Sequence, residues 1–412
     1  MRLSYQLLLT AAVLLITATN AAATSSMAPP SNVQITAYPE LNNEEQVWIF
    51  PVDSLVVMAN WRDFRLGYRQ IGVGRSVDGG QTWSDSLISF DMQVFGSDAG
   101  QSDPTLTCDR LGSFIMTALD YDAWGTTGLS TISVYRSIDQ GLSWTGPVPA
   151  MWTGDPDVFE DKQFTTVDRT GGPYDGNFYM SWTRFPNPDR IVLVRSTDDC
   201  QSFEDTVVIG PAQSSTGCGS YVVDAGQFSN PLVAPNGDVH VFWVGYSLDS
   251  SDECTGYSAM KHVVSTDGGV SFTSPSPLFP VSGNMTADGG IATYNQPACD
   301  ADLTGGPFGG NIYIAFTNLG PEDEYHSDID FVRSTDNGVT WSERYMINDD
   351  TNTVEIDNFH PWLVVNDEGV IVVVFYDQRF DPPGYYWFDC LAAYSFDGGE
   401  TFTTNHRLSG SS

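Results

Sequence analysis

An eight-residue pattern, Ser-x-Asp-x-Gly-x-Thr/Ser-aromatic, recurs six times along this 412-residue chain. It reads SVDGGQTW from Ser76, SIDQGLSW from Ser137, STDDCQSF from Ser196, STDGGVSF from Ser265, STDNGVTW from Ser334 and SFDGGETF from Ser395. Successive serines lie 61, 59, 69, 69 and 61 residues apart. So demanding a pattern at so even a period marks a repeat architecture. Each part of the unit has a local reason. Ser and Asp side chains bond the backbone of a turn. Gly supplies a positive φ, and the final aromatic starts a strand while burying a ring. The third copy has Cys200 where the others have Gly, which predicts a strained or reshaped turn there.

The segments between the turns repeat as well. Each unit opens with an apolar run, a turn and a second apolar run, as in Pro361–Val365 and Val370–Phe375 or Pro231–Val233 and Val239–Trp243. A third run leads into the Ser-x-Asp turn and a fourth follows it. Four short antiparallel strands per unit, six times over, predict an all-β fold: a six-bladed β-propeller with four-stranded blades. The six units account for residues 24–412 and leave no room for a second domain. A segment from Ser31 to Thr36 is expected to add to the last sheet and latch the ring.

The charge is lopsided: 17 Lys+Arg against 52 Asp+Glu, a net −35, with Lys162 and Lys261 the only lysines. Such a chain is repelled by phosphate backbones and anionic membranes, so nucleic acid is excluded as a partner. With 41% hydrophobic residues it carries enough apolar surface for a core. Arg2, the apolar run Leu7–Ile16 and Ala21-Ala22-Ala23 read as a secretory signal over residues 1–23. The run is too short to span a bilayer, so a secreted monomer without membrane insertion is expected. Of six cysteines, Cys218 and Cys254 fall within one repeat and are the expected disulfide pair. No zinc spacing or EF-hand loop is present, and no metal or cofactor is expected.

The six turns resemble Asp-box (BNR) repeats, and the layout is similar to the propeller of the sialidase (neuraminidase) superfamily. The resemblance covers nearly all of residues 24–412. It implies that the Asp-box aspartates Asp78, Asp139, Asp198, Asp267, Asp336 and Asp397 sit opposite the active face and are structural. That face then collects the residues that begin strand one and end strand two. Aligning strand-one starts gives the polar ring Gln46, Asp103, Asp161, Asn230, Gln296 and His360.

Strand-two exits carry arginines in blades one, three and six. Arginine holds carboxylate through a bidentate fork, and sialidases use three of them. The resemblance therefore implies substrate contact by Arg62 or Arg65, Arg184 and Arg379. Sialidase hydrolysis uses a tyrosine nucleophile assisted by a glutamate, with an aspartate as acid/base. Tyr376, ahead of Tyr121 and Tyr246, is the candidate nucleophile. Glu160 is the candidate activator and Asp122, Asp103 or Asp161 the candidate acid/base. The Phe/Tyr-Arg-Ile-Pro signature of active sialidases is absent. Three readings stay open: exo-α-sialidase-type hydrolysis of an acidic sugar, cleavage of another polysaccharide, and a non-catalytic propeller binding extracellular glycan or protein. In the last, Trp61, Tyr121, Tyr385, Tyr386 and Trp387 would stack on sugar rings.

Overall fold

The computed structural model describes residues 32–88, 99–122, 127–185, 189–211, 213–214, 222–223, 226–248, 254–282, 285–319, 326–350, 356–381 and 386–410. The six blades lie in chain order, and each is a four-stranded antiparallel sheet built from consecutive strands. Blade one is Asn42–Ile49, Val57–Asp63, Gln70–Ser76 and Ser84–Leu87. Blade two runs Ala99–Cys108, Phe114–Asp122, Ser130–Ser137 and Thr145–Met151. Blade three is Phe159–Val167, Phe178–Phe185, Arg190–Ser196 and Val207–Gly210. Blade four is Gln227–Val233, Val239–Leu248, Cys254–Ser265 and Ser276–Val281. Blade five is Ala298–Ala301, Ile312–Leu319, Ser327–Ser334 and Tyr345–Met346, and blade six Asn358–Val365, Ile371–Asp377, Asp389–Ser395 and His406–Arg407. A small ribbon, Met285–Ala287 with Ile291–Thr293, leads into blade five.

The repeat turn is built the same way six times. Each Ser Oγ donates to its Asp Oδ1, at 2.8 Å in five turns and 2.9 Å in the sixth. The same Oγ accepts the backbone N–H four residues on, at 2.8–3.0 Å. Each Asp Oδ2 then accepts the hydroxyl of the following Thr or Ser at 2.6 Å. These bonds, led by the Thr82 and Ser271 hydroxyls, hold the Asp78 and Asp267 carboxyls at about 2. Cys200 does not reshape its turn. It takes the left-handed conformation of the glycines, φ 59°, and keeps the bond to Ser196.

The closing aromatics Trp83, Trp144, Phe203, Phe272, Trp341 and Phe402 pack on the cores. Among the described residues, five continuous apolar cores join neighbouring blades, from one–two through five–six. The seam between blades six and one is different: it consists of two separate clusters. The expected latch from Ser31 to Thr36 is not a strand, because residues 32–36 pair with no sheet. It acts through side chains instead, as argued below. The Cys218–Cys254 pairing lies outside the described residues and side chains. Among those described, Cys108, Cys200, Cys299 and Cys390 are free thiols. No helix of the described residues is long and apolar enough to cross a membrane.

Strand one carries a β-bulge in five blades. Asn43 and Gln46 face Arg62 and Asn60, and Ser102 and Thr105 face Leu119 and Thr117. The same slip follows Asp161, Gln227 and Phe359. The first bulged residue is Glu44, Asp103, Lys162, Phe228 or His360, each with φ between 48° and 62°. An L-residue in this region costs roughly 1–2 kcal/mol, and such bulges serve to re-aim side chains. Here all five are aimed at the mouth of the central channel.

Candidate active site

Ser76, the last residue of its strand, pairs with Val57, the first of strand two. The Asp boxes therefore lie at the far end of each blade from the strand-two exits. At those exits a cavity of about 790 Å³ opens on the channel axis. It is lined by the bulged residues of all five blades. Its floor is Phe164 of blade three against Trp362 of blade six, ring centroids 5.7 Å apart across the channel.

The polar wall comes from four consecutive blades. Arg62 Nη1 holds Glu44 Oε1 at 2.9 Å and Ser102 Oγ at 2.9 Å. Glu44 Oε2 accepts the Asp103 backbone N–H at 2.9 Å. Lys162 Nζ holds Asp103 Oδ1 at 3.0 Å. Gln227 donates to Asp161 Oδ2 at 2.7 Å. Burial pushes the Asp161 carboxyl up to about 7; Asp103 adds to this through its charge and a hydrogen bond, and Lys162 opposes it. Burial works against the Lys162 charge, yet Asp103, Glu44 and Asp161 together hold its ammonium above the ordinary lysine value. Asp161 is thus a carboxyl that favours its protonated form, set beside a second acid and a lysine.

Blade six faces this wall from across the channel. The Tyr376 hydroxyl is pushed up by burial first and by the Glu45 carboxylate second. Burial likewise raises Glu45. His360 is held near 4 by burial and by Lys162, so its imidazole is neutral. Its Nε2 accepts the Tyr294 backbone N–H at 3.3 Å.

The expected site residues divide cleanly. Arg62, Asp103, Asp161, His360 and Tyr376 line the cavity, with Gln46, Gln296 and Tyr121. The other three arginines do not. Arg65 pairs with Asp63 and Asp85, 2.7 and 2.6 Å. Arg379 is held by Asp377 and Asp349, 2.7 and 2.6 Å. Arg184 holds Glu160 at 2.9 Å, and the Trp182 indole donates to the same carboxylate. Glu160 is thereby spent on a buried structural pair rather than on Tyr376. Asp122 accepts the Thr127 backbone N–H. Trp61 is 3% exposed, not a surface aromatic, and its indole donates to Asp63 at 2.7 Å. Asn230 is buried and donates to the Pro297 carbonyl at 2.9 Å, joining blades four and five below the cavity. The Tyr246 side chain and Tyr385 fall outside the described residues.

The bulges explain where the ring alignment slips. The positions equivalent to Asp103 and His360 are Glu44, Lys162 and Phe228, so Gln46, Asp161 and Asn230 are displaced by one or two residues. Glu44, Glu45, Lys162 and Arg69 are the charged cavity residues that the alignment passes over. Arg69 donates to the Tyr121 hydroxyl at the rim. The signal for Lys162 was its rarity, one of two lysines and next to an expected ring aspartate.

No family model matches the sequence, and no curated protein matches it. Solved structures do match in fold. The intramolecular trans-sialidase from Ruminococcus gnavus superposes with a TM-score of 0.57 at 13% identity, over 92% of this chain and 100% of that one. The GH93 α-L-arabinofuranosidase of Fusarium graminearum gives 0.52 at 13%, over 89% and 95%. NanB sialidase from Streptococcus pneumoniae gives 0.52 at 11%, over 84% and 66%. At such identities the likeness is one of fold, and a propeller fold hosts many activities.

Proposed function

We propose that this chain is an exported propeller glycoside hydrolase that cleaves a neutral glycan, acting as a monomer and without a metal or cofactor. The observation that carries the reading is the bulge-built wall at the channel mouth, where Asp161 lies against Asp103 and Lys162 and faces Tyr376 and Glu45. Asp161 is the proton donor. As the glycosidic C–O bond breaks, its electron pair goes to the leaving oxygen, which takes the Asp161 proton. Asp103, bonded to Lys162 at 3.0 Å, stands beside that carboxyl and favours its protonated form. Tyr376 of blade six and Glu45 of the adjoining blade one face the positive charge developing on the sugar, and Glu45 takes a proton from the water whose oxygen bonds to the anomeric carbon. A donor and an acceptor on different blades of one cavity are what glycoside hydrolysis requires. The neutral sugar follows from the charges. The Arg65, Arg184 and Arg379 guanidiniums are engaged elsewhere, and Arg62 is tied to Glu44. The arabinofuranosidase among the structural neighbours, active on a neutral sugar by its name, sits alongside the sialidases.

Exo-α-sialidase-type hydrolysis is the second reading, favoured by Tyr376 standing within the field of Glu45. A panel of aryl glycosides separates the two. The neutral reading expects turnover of at least one neutral glycoside and none of the α-sialoside. With Asp161 as acid, kcat/KM falls as pH rises through about 7, and Asp161→Asn lowers kcat by about 10²–10⁴-fold. Release from the α-sialoside alone would move the assignment to the second reading. No turnover across the panel would leave a glycan-binding propeller.

A further inference from the structure

We infer that the substrate is a chain of several neutral sugar units, held beyond the cleavage point by an aromatic platform on the blade-six rim. This rests on the glycosidase reading and names its substrate class. The sequence of rings is continuous. Tyr294 stacks on His360, centroids 5.9 Å apart and planes 5° apart. His360 meets Phe359 at 5.4 Å. Phe359 meets Phe388 at 5.6 Å, and Phe388 meets the ring of Tyr376, which lines the cavity, at 4.7 Å. Trp387 and Tyr386, next to Phe388 in the chain, are 65% and 67% exposed. Large rings left in water beside a residue that lines the cavity mark a binding surface.

The platform is held rigidly. Asp381 Oδ2 accepts the backbone N–H of both Tyr386 and Trp387, each at 3.0 Å. The Gly289 turn of the small ribbon lies directly against Tyr386, so close that a Cβ there would sit 3.3 Å from its ring. The same ribbon is tied to blade six, since Gln378 donates to the Asp288 carbonyl at 3.1 Å. Rings presented in a fixed geometry lose little entropy on stacking. The occupant is set by two features. A cavity of about 790 Å³ lies high in the range for drug-sized ligands and exceeds the needs of a single sugar ring. A net charge of −35 disfavours polyanionic chains. Sugar C–H faces on aromatic rings supply the contact that charge does not.

The test compares the full chain with Trp387→Ala and Trp387→Phe, checking each for an unchanged melting curve. Arabino-, xylo- and cello-oligosaccharides of increasing length are the probes, with oligogalacturonate as the acidic control. Two quantities are read: the ratio of kcat/KM for long over short oligomers, and binding of the long oligomer to the Asp161→Asn protein by calorimetry. In one neutral series the ratio rises with length. Trp387→Ala lowers it by about tenfold, the factor carried by roughly 1.4 kcal/mol of stacking, and Trp387→Phe keeps most of it. A ratio independent of length, or one that Trp387→Ala leaves alone, overturns the inference while leaving hydrolysis intact. Binding of a long neutral oligomer that Trp387→Ala abolishes, without turnover of any glycoside, supports the platform and sinks the hydrolase reading. Binding confined to oligogalacturonate overturns the platform.

Discussion

Asp161 shows how one residue's surroundings decide its chemistry. Its carboxyl is ordinary in sequence, one of 52 acids. Burial beside Asp103 moves it to about 7, above the value near 3.9 of an unfolded chain. A pKa raised by folding means that the folded state favours the protonated form. The stability this group contributes is therefore complete below about pH 4 and is lost as pH rises through about 7. Asp161→Asn, which is neutral at every pH, is expected to flatten the melting temperature between about pH 5 and pH 8, and to melt higher than the natural chain at the upper end. Thermal scans across that range read the difference. A slope unchanged by the substitution would mean that Asp161 is ionised in the fold, and would remove it as a proton donor.

The repeat turn is an element whose sequence and structure coincide, and the bulge is one where they do not. In the sixth turn Ser395 is fully buried, and its Oγ both accepts the Gly399 N–H and donates to Asp397, each at 2.9 Å. Ser395→Ala leaves a buried N–H without a partner and is expected to cost about 1–3 kcal/mol, read by chemical denaturation. Ser395→Thr, which retains the hydroxyl, separates loss of the bond from a packing fault. The turn was legible because every bond in it is local: eight residues contain donor, acceptor and φ requirement. The strand order and the six blades followed from it. The site was legible only in part. A bulge is one extra residue on one strand, and it has no composition of its own when Glu, Asp, Lys, Phe and His all occupy it. The alignment of strand-one starts that placed Asp103 and His360 therefore misplaced blades one, three and four. The arginines could be read either way in the sequence, as substrate contacts or as partners of neighbouring acids such as Asp63 and Asp377, and for three of them the second holds. Asp63 and Asp377, each two residues before its arginine, hold Arg65 and Arg379, and Glu160 on the paired strand holds Arg184.

At the scale of the molecule, the ring closes at a seam unlike the other five. Each of those buries one continuous core, whereas blades six and one keep separate apolar clusters. Among the described residues no strand is exchanged between blades six and one, and residues 32–38 before blade one do the joining. Ile35 packs into the blade-one cluster with Trp61 and Trp83. It reaches them because strand three of blade one carries glycines: a Cβ on Gly74 would stand 2.6 Å from Ile35, and one on Gly72 would stand 2.3 Å from the Trp61 indole. Asn32 bonds the far end, donating to the Leu408 carbonyl at 3.2 Å and accepting the Gly410 N–H at 2.7 Å. Arg65 completes the bridge, with its guanidinium 3.9 Å from the Tyr38 ring and bonded to Thr36. One short segment thus spans from blade one to the last residues of blade six. Removing residues 32–40 takes away the Ile35 contact and both Asn32 bonds, a loss of about 3 kcal/mol. The melting temperature is expected to fall by several degrees. Asn32→Ala alone, which leaves Ile35 in place, is expected to account for about a third of that loss. If the trimmed chain melts where the natural one does, the seam closes through blades six and one themselves, and the segment merely lies on it.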